Sequence, residues 1–205
     1  MYRPSLVAGR AVDRPARTLH APFDGRPLDD VAEATAVDIE AACAAAAAAA
    51  PVVARWPAHR RAEVLRAIAR AIAARQEELA ALVRDEGGKP ITYARAEVGR
   101  AIDTFNLCAE EATRVGGEVL PLDATAAGAG RVGILRRFPR GPVAAICPFN
   151  FPLNLVAHKV GPAIAAGCPV VVKPAEQTPS AALVLGEIVV EAGWEPGAIS
   201  VLPCD

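Results

Sequence analysis

The chain has 205 residues, enough for one large domain or for a domain with an appendage. Apolar residues make up 53% of it and aromatic residues only 4%, so alanine, valine, leucine and isoleucine are expected to fill the core. The formal net charge is −1, and charges of both signs are spread along the chain. This balance argues against nucleic acid or an acidic membrane surface as a partner.

Three features of the chain favour a cytoplasmic location. Near the N-terminus the longest uncharged apolar run is Leu6 to Ala8, which is too short for the apolar region of a secretory signal. The alanine-rich run from Ala41 to Ala54 is too short and too weakly hydrophobic to match the ~20 residues of a membrane span. Five cysteines without paired spacing indicate reduced thiols, and no cluster of histidine and cysteine suggests a metal site.

The first part of the chain divides into two segments. Residues 1–36 carry many proline, glycine and aspartate residues and are predicted to form loops and short strands. Residues 37–117 are predicted to form a helical layer, in which Asp38 is the N-cap of a helix from Ile39 to Ala50. Because proline does not fit a helix interior, we expect this helix to bend or end at Pro51.

Two further helices complete the predicted layer. Apolar residues recur every three or four positions after Pro57 and predict one long amphipathic helix that ends at Gly87 and Gly88. The next helix is expected from about Tyr93 to Val115. Residues 118–140 follow as a loop and one exposed strand, Arg131 to Pro139, in which charged and apolar residues alternate.

From residue 141 to residue 205 the pattern predicts a βαβαβ unit. Thr178 and Pro179 are typical of a helix start, and Gly167 and Gly193 stand where left-handed caps end helices. We therefore expect an α/β fold, with a Rossmann-like βαβαβ half sheet preceded by the helical layer. The predicted strands are Val143–Cys147, Val170–Lys173 and Ala198–Leu202, and the helices between them are Leu153–Ala166 and Pro179–Ala192.

Two polar motifs follow neighbouring strands of this unit. In the first, Asn150 is held between Pro148 and Pro152, and in the second, Lys173 and Glu176 flank a proline and an alanine. Ligands of a parallel α/β sheet bind outside the carboxyl ends of the strands, which is where both motifs fall. Taken singly, the asparagine is typical of a turn and helix cap, and the lysine and glutamate of a surface salt bridge.

The two motifs and the apolar helix between them resemble the aldehyde dehydrogenase superfamily, whose members oxidise aldehydes to acids with NAD or NADP. The matching stretches are PFNFP and AAGCPVVVKPAEQTP, in the family's order and spacing, and weaker similarity runs from about Pro22 to the last residue. The resemblance implies an incomplete aldehyde dehydrogenase-type fold and a small aldehyde as the substrate. It also implies that the strand near residue 135 belongs to a β arm used in oligomer contacts, so the full-length protein is expected to be a homo-oligomer.

The resemblance assigns catalytic chemistry to two side chains. Asn150 stands where the family's oxyanion-hole asparagine stands, and its amide would donate to the oxygen that develops negative charge. Lys159 matches a helix lysine that assists proton movement in relatives, with a solvated surface lysine as the alternative. We expect its neighbour His158 to shape the substrate pocket or to pack rather than to act as a base.

The resemblance also assigns coenzyme contacts. Lys173 and Glu176 match the pair that hydrogen-bonds the ribose of the adenosine half. The Glu176 carboxylate would accept from both ribose hydroxyls and repel the 2′-phosphate of NADP, so NAD is the expected coenzyme and NADP the alternative. The residues matched to the cleft of the nicotinamide half are Ile146, Cys147, Pro148, Phe149 and Asn150.

No cysteine of the chain is predicted to be the nucleophile. Cys147 ends a buried strand, where apolar surroundings raise the pKa of a thiol, and packing roles are expected for the other four, Cys43, Cys108, Cys168 and Cys204. The general-base glutamate and the catalytic domain of the family have no counterpart here. We therefore expect an N-terminal fragment with an uncovered sheet and, on its own, no dehydrogenase activity.

Two other functions remain open from the sequence. A catalytically inactive nucleotide-binding or assembly module would keep the cleft without the chemistry. A related thiol-using reductase of acyl phosphates shares the fold, but the two motifs argue against it. The form PFNFPLN is similar to branches of the family that act on small polar or phosphorylated aldehydes, so the resemblance implies a substrate of that kind.

Overall fold

The computed structural model describes residues 1–205 and contains ten short strands and six α-helices. The strands are β1 (Tyr2–Arg3), β2 (Ser5–Val7), β3 (Arg10–Val12), β4 (Ala16–His20), β5 (Pro27–Ala32), β6 (Gly117–Pro121), β7 (Val132–Arg136), β8 (Val143–Ile146), β9 (Val170–Lys173) and β10 (Ile199–Val201). The helices are α1 (Ala36–Val53), α2 (Ala58–Ala74), α3 (Gln76–Gly87), α4 (Ile91–Arg114), α5 (Asn154–Ala166) and α6 (Ser180–Glu191).

The main sheet has five strands in the order β3-β2-β10-β9-β8. Strands β8, β9 and β10 are parallel and are connected by α5 and α6, which confirms the predicted βαβαβ unit. Strand β2 pairs antiparallel with β10, with Leu6 opposite Val201, and β3 continues the sheet. The N-terminal strands therefore extend the sheet of the C-terminal unit, although no local signal in residues 1–36 predicted this.

Strand β8 lies at an open edge of the sheet and is covered on one face only. Ala145 is buried, whereas Ala144 and Ile146 point to the other face, where 71% of Ile146 is exposed. The prediction of a buried strand from Val143 to Cys147 was therefore wrong for one face. In a doubly wound sheet the next strand and its helix would be expected beside this edge.

Helices α2, α3 and α4 pack on the sheet through α5 and α6. Helix α4 contacts α2, α3 and α5, and its buried face carries alanines together with Val98 and Phe105. Trp56, just before α2, meets Trp194, just after α6, edge to face at 5.0 Å between ring centroids. Helix α1 packs against β9 and β10, on the sheet face that carries Ile146.

The long amphipathic helix predicted after Pro57 is two helices. The chain leaves helical geometry at Arg75 (φ −106°, ψ 21°), and α3 starts at the next residue. The Arg75 guanidinium donates two hydrogen bonds to the Glu78 carboxylate in the first turn of α3. No proline or glycine marks the break. The change of direction instead accompanies the packing of α3 on α4 and α6.

Two helix starts differ from the predicted caps. Thr35, rather than Asp38, is the N-cap of α1, and Asp38 completes a capping box by accepting from the Thr35 backbone N–H at 2.8 Å. The hydrogen bond from Arg14 holds the pKa of the Asp38 carboxyl well below its usual range. Thr178 makes no capping bond, and its buried hydroxyl lacks a partner.

The N-terminus of α6 is capped from a distant helix instead. The carboxylate of Glu86, at the end of α3, accepts from the Ser180 backbone N–H at 3.2 Å. Burial raises the pKa of the Glu86 carboxyl from its ordinary value of 4.5 to about 7. The predicted C-terminal caps are confirmed, since Gly167 and Gly193 both have positive φ, 76° and 87°.

Helix α1 runs through Pro51, which lies exposed in its last turn, so the expected stop was placed too early. The helix is also longer than the alanine-rich run. By length and composition it meets the requirements of a membrane span, with a mean hydropathy of 1.6 over 18 residues and 28% of that window buried. One such helix is weak evidence for a span, because helices packed against a core have the same composition, and the absence of membrane contact stays a prediction.

Residues 117–136 form a two-stranded hairpin rather than a loop with one strand. Strands β6 and β7 pair antiparallel over five residue pairs, from Gly117 opposite Arg136 to Pro121 opposite Val132. Every residue of the two strands except Gly133 is exposed. The alternating pattern predicted β7, but β6 follows the helix-ending glycines directly and carries no pattern of its own.

Candidate functional site

The two polar motifs meet at the same end of two neighbouring strands. Ile146 of β8 is in register with Lys173 of β9, and the Cys147 backbone N–H donates to the Lys173 carbonyl oxygen at 3.0 Å. The strands are parallel, so the loops that follow them both leave from the carboxyl edge of the sheet. Lys173 Nζ lies 3.7 Å from Glu176 Oε1, and Glu176 is exposed.

Asn150 lies on the surface, directly before the N-terminal end of α5. Its side chain makes no hydrogen bond within the chain, whereas its backbone oxygen accepts from Lys89 Nζ at 2.7 Å. The neighbouring Pro148 and Phe149 are exposed as well. A helix N-terminus carries a partial positive charge, so an oxygen that develops negative charge near Asn150 is favoured by the same end of α5.

Glu97 of α4 holds the start of α5. One carboxylate oxygen accepts from the backbone N–H groups of Leu153 and Asn154 at 3.0 and 3.2 Å, and the other accepts from Lys89 Nζ at 2.5 Å. Glu97 is completely buried. Sequence analysis missed both charged residues, because Lys89 stands in a short turn outside any motif and the sequence of an amphipathic helix does not show that one of its glutamates is buried.

An apolar groove of about 450 Å³ lies between α1 and the strands β8 and β9. Of the predicted coenzyme residues, Ile146 and Lys173 line this groove, and Ile39 and Cys43 of α1 form the opposite wall. The other predicted coenzyme residues lie outside its lining; they are Cys147, Pro148, Phe149, Asn150 and Glu176.

Lys159 lies on α5, near the thiol of Cys147. Its Nζ donates to the Leu155 carbonyl oxygen of the same helix at 3.2 Å, and its side chain is half-buried. Burial raises the pKa of the Cys147 thiol, and the positive charge of Lys159 opposes that shift. His158 is exposed.

The cysteines carry no sign of activation. Burial raises the pKa of the Cys108 thiol to about 11 and also raises the pKa of the Cys204 thiol. The expected packing role is wrong for Cys43, which is exposed and lines the groove, because it points from α1 toward the uncovered sheet face. Cys168 is buried as expected.

The parallel strands with α5 and α6 on one face, and with polar groups at their carboxyl ends, define an α/β unit of the doubly wound, coenzyme-binding class. The sequence model of the aldehyde dehydrogenase family matches residues 11–205. The chain belongs to the aldehyde dehydrogenase family.

Relatives support this assignment at the level of sequence and fold. The chain is 43% identical to the 3-sulfolactaldehyde dehydrogenase of Priestia aryabhattai over 183 residues, which are 89% of this chain and 38% of the relative. Aldehyde dehydrogenase 21 of Physcomitrella patens, solved with the reaction product succinate, superimposes with a TM-score of 0.95 at 45% identity, covering 100% of this chain and 43% of that protein.

The NADP-dependent glyceraldehyde-3-phosphate dehydrogenase of Bacillus halodurans C-125, solved with NADP, matches with a TM-score of 0.94 at 31% identity over 100% of this chain and 44% of that protein. Another matched structure contains NAD. The chain thus corresponds to the N-terminal part of aldehyde dehydrogenase structures, and it spans 36–41% of the length of the first curated relatives that it matches.

Proposed function

We propose that this chain supplies part of the site for NAD(P)-dependent oxidation of a small aldehyde to a carboxylic acid, with the nucleophile and the general base lying outside these 205 residues. The observation that supports this most is the shared strand edge. There the Asn150 loop and the Lys173–Glu176 pair leave adjacent strands whose last residues, Ile146 and Lys173, are in register.

The residues at this edge fit a dinucleotide coenzyme. Lys173 is partly exposed and Glu176 is exposed, and both lie at the end of β9. Lys173 Nζ and Glu176 Oε1 are 3.7 Å apart, so both side chains could hydrogen-bond one ribose. The apolar groove beside Lys173 offers a surface for a flat ring. The bound nicotinamide would accept the hydride from the substrate carbon. The Glu176 carboxylate favours NAD, because it would repel a 2′-phosphate.

Asn150 would act as a hydrogen-bond donor to the oxyanion. Its amide is exposed and makes no bond within the chain, so both of its N–H groups are free for a substrate oxygen. Preorganised donors of this kind act where negative charge develops in the transition state. Lys159, on α5, would place its positive charge near Cys147 and assist proton movement.

The β6–β7 hairpin would form an oligomer contact in the full-length protein. Its strands expose a set of large apolar side chains that nothing in the chain covers: Val119, Leu120, Val132, Ile134 and Leu135. Contiguous apolar surface of this kind marks an interaction site.

A chimera tests the proposed chemistry. Residues 1–205 would replace the matched segment of Physcomitrella patens aldehyde dehydrogenase 21, and turnover of the aldehyde that yields succinate would be followed with NAD and NADP. Asn150→Ala should lower kcat by about 10²–10³ with KM nearly unchanged, as for loss of an oxyanion-hole donor. Asn106→Ala, an exposed asparagine on α4, is the matched control. Turnover that is insensitive to Asn150→Ala would refute the assigned role.

A noncatalytic module that binds the coenzyme is the second candidate function. It is favoured by the raised pKa of the thiols of Cys108, Cys147 and Cys204, none of which is suited to act as a nucleophile. Incubating the isolated chain with a small aldehyde and NAD tests what the two cases share, and the chimera separates them, because only the proposal expects turnover that depends on Asn150. We expect no turnover, and turnover lost on replacing a cysteine by serine would contradict both the proposal and this alternative.

A further inference from the structure

An ion pair that lies mostly beneath the surface, and that includes none of the predicted site residues, contacts the loop of Asn150. It consists of Lys89, in the turn between α3 and α4, and Glu97, in the second turn of α4. Their charged atoms are 2.5 Å apart, and the side chains are 16% and 0% exposed. We call this pair the Lys89–Glu97 clamp.

Glu97 fixes the chain on the C-terminal side of Asn150. Its Oε1 accepts from the backbone N–H groups of Leu153 and Asn154, which begin α5 and have no partners within that helix. A carboxylate is a strong acceptor at this place, because the hydrogen bonds are charge-assisted and the helix dipole favours negative charge.

Lys89 fixes Asn150 itself. Its Nζ donates to the Asn150 carbonyl oxygen at 2.7 Å and lies 4.3 Å from the centre of the Phe151 ring. The same ammonium group is held by Glu97 Oε2. One ion pair therefore holds the carbonyl of residue 150, the ring of residue 151 and the amides of residues 153 and 154.

We propose that Lys89 and Glu97 are positioning residues for the Asn150 amide. The Asn150 side chain is exposed and bonded to no other group, so its place is set only by its backbone, and the clamp is what holds that backbone. The functional meaning of this inference rests on the proposed role of Asn150 in oxyanion binding. The geometric part stands without it.

The test uses the isolated chain labelled with ¹⁵N-asparagine, without coenzyme. Asn106, Asn150 and Asn154 are the only asparagines, so their backbone and side-chain amides give three resolved sets of signals. The main variant is Lys89→Met combined with Glu97→Gln. It leaves no unpaired buried charge and keeps an amide oxygen to cap α5, but it removes the bond to the Asn150 carbonyl oxygen.

In this double variant the order parameter of the Asn150 backbone should fall from about 0.85 to below about 0.6, and its side-chain amide signals should shift. Glu97→Gln alone should speed hydrogen exchange of the Asn154 amide by about tenfold, because a neutral acceptor is roughly half as strong. Lys89→Arg, which keeps a positively charged donor, should leave Asn150 as ordered as in the parent chain. Glu77→Gln, in the exposed pair with Arg95, is the control and should change no asparagine signal.

Unchanged Asn150 signals in the double variant would overturn the inference, whatever happens to thermal stability. Equal loss of order at Asn106 and Asn150 would overturn it too, because it would indicate a general structural role. The proposed role of Asn150 in oxyanion binding fails in a different experiment, if turnover of the chimera does not depend on Asn150. A failure of that role can therefore be told apart from a failure of the positioning role of Lys89 and Glu97.

Discussion

At the scale of single residues, the site depends on charges that the chain buries or half-buries beneath its surface loops. Glu97 is completely buried and Lys89 is partly buried, and each has the other as its countercharge. Such a pair adds little net stability compared with apolar residues, but removing one partner leaves the other unpaired in a medium of low polarity.

Lys89→Met should therefore lower the free energy of unfolding by about 3–5 kcal/mol, because it leaves the buried Glu97 carboxylate without a countercharge. Urea denaturation measures this change. The combined Lys89→Met and Glu97→Gln variant should recover most of the loss. In the control Arg95→Met, whose partner Glu77 is exposed, the loss should be much smaller, because solvent screens an exposed ion pair. Equal losses in Lys89→Met and Arg95→Met would contradict the burial of the clamp.

The capping carboxylate of Glu86 predicts a pH dependence. The pKa of Glu86 in the folded chain is about 7, above the ordinary value of 4.5, so folding favours the protonated carboxyl. The stability that this group adds is fully present below pH 4.5 and is lost as the pH rises through 7. Relative to Glu86→Gln, the chain should lose about 3 kcal/mol of stability between pH values of about 4 and about 8. Parallel stability curves for the two proteins in urea would refute this assignment.

The residue-scale predictions from sequence depended on motifs. Asn150, Lys173 and Glu176 were found because two short motifs stand at strand ends in a recognisable order. Lys89 and Glu97 were missed because their importance arises from contacts across 61 and 56 residues of chain. No local pattern reports a contact of that length.

At the scale of elements, close packing of α6 on the sheet is the most demanding feature. A Cβ added at Gly186 would lie 2.7 Å from Val201 Cγ2 and 2.8 Å from Leu6 Cδ2. Both of those side chains are buried, on strands β10 and β2. The glycine thus allows the helix to lie against two strands at once.

Gly186→Ala should destabilise the chain by about 1–3 kcal/mol through overpacking, despite the better helix propensity of alanine. Gly99→Ala is the matched control, because Gly99 is also within a helix and a Cβ there meets nothing within 4 Å. It should stabilise the chain by about 0.5–1 kcal/mol. Thermal unfolding of both variants checks the pair, and a stabilising Gly186→Ala would contradict the packing.

Elements with strong local signals were predicted well. Strand β9 occupies the predicted residues, and α4 and α5 lie within two residues of their predicted ends. The errors in predicting elements occur where contacts between elements, rather than the local sequence, determine the structure. The break at Arg75 and the cap of α6 by Glu86 follow from how α3 packs on its neighbours, and β6 exists because β7 pairs with it.

At the scale of the whole molecule, two surfaces lack a covering partner within the chain: the face of β8 that carries Ile146, and the β6–β7 hairpin. The sequence predicted the open sheet and the arm strand, through the resemblance to a longer family. It did not predict that the N-terminal strands complete the other edge of the sheet, because strands of three residues carry almost no periodic signal. The cytoplasmic location stays a prediction.

The hairpin should drive self-association. We expect the chain to form a dimer or larger oligomer, and Val119→Asp combined with Ile134→Asp, at opposing positions of the hairpin, to shift it toward the monomer. Light scattering coupled to size-exclusion chromatography measures the mass. Val37→Asp, at an exposed valine of α1, serves as the control. A monomeric parent chain, or a double variant with the parent's mass, would contradict this.

The most direct measurement of the central claim is a titration of the ¹⁵N-asparagine-labelled chain with NAD. Because the proposed function assigns only part of the coenzyme cleft to this chain, we predict weak, millimolar binding that shifts the side-chain amide of Asn150 and leaves Asn106 unchanged. Glu176→Gln should weaken this binding, and NADP should bind less well than NAD. If saturating NAD leaves the Asn150 amide unmoved, the strand edge that carries Asn150, Lys173 and Glu176 is not a coenzyme site.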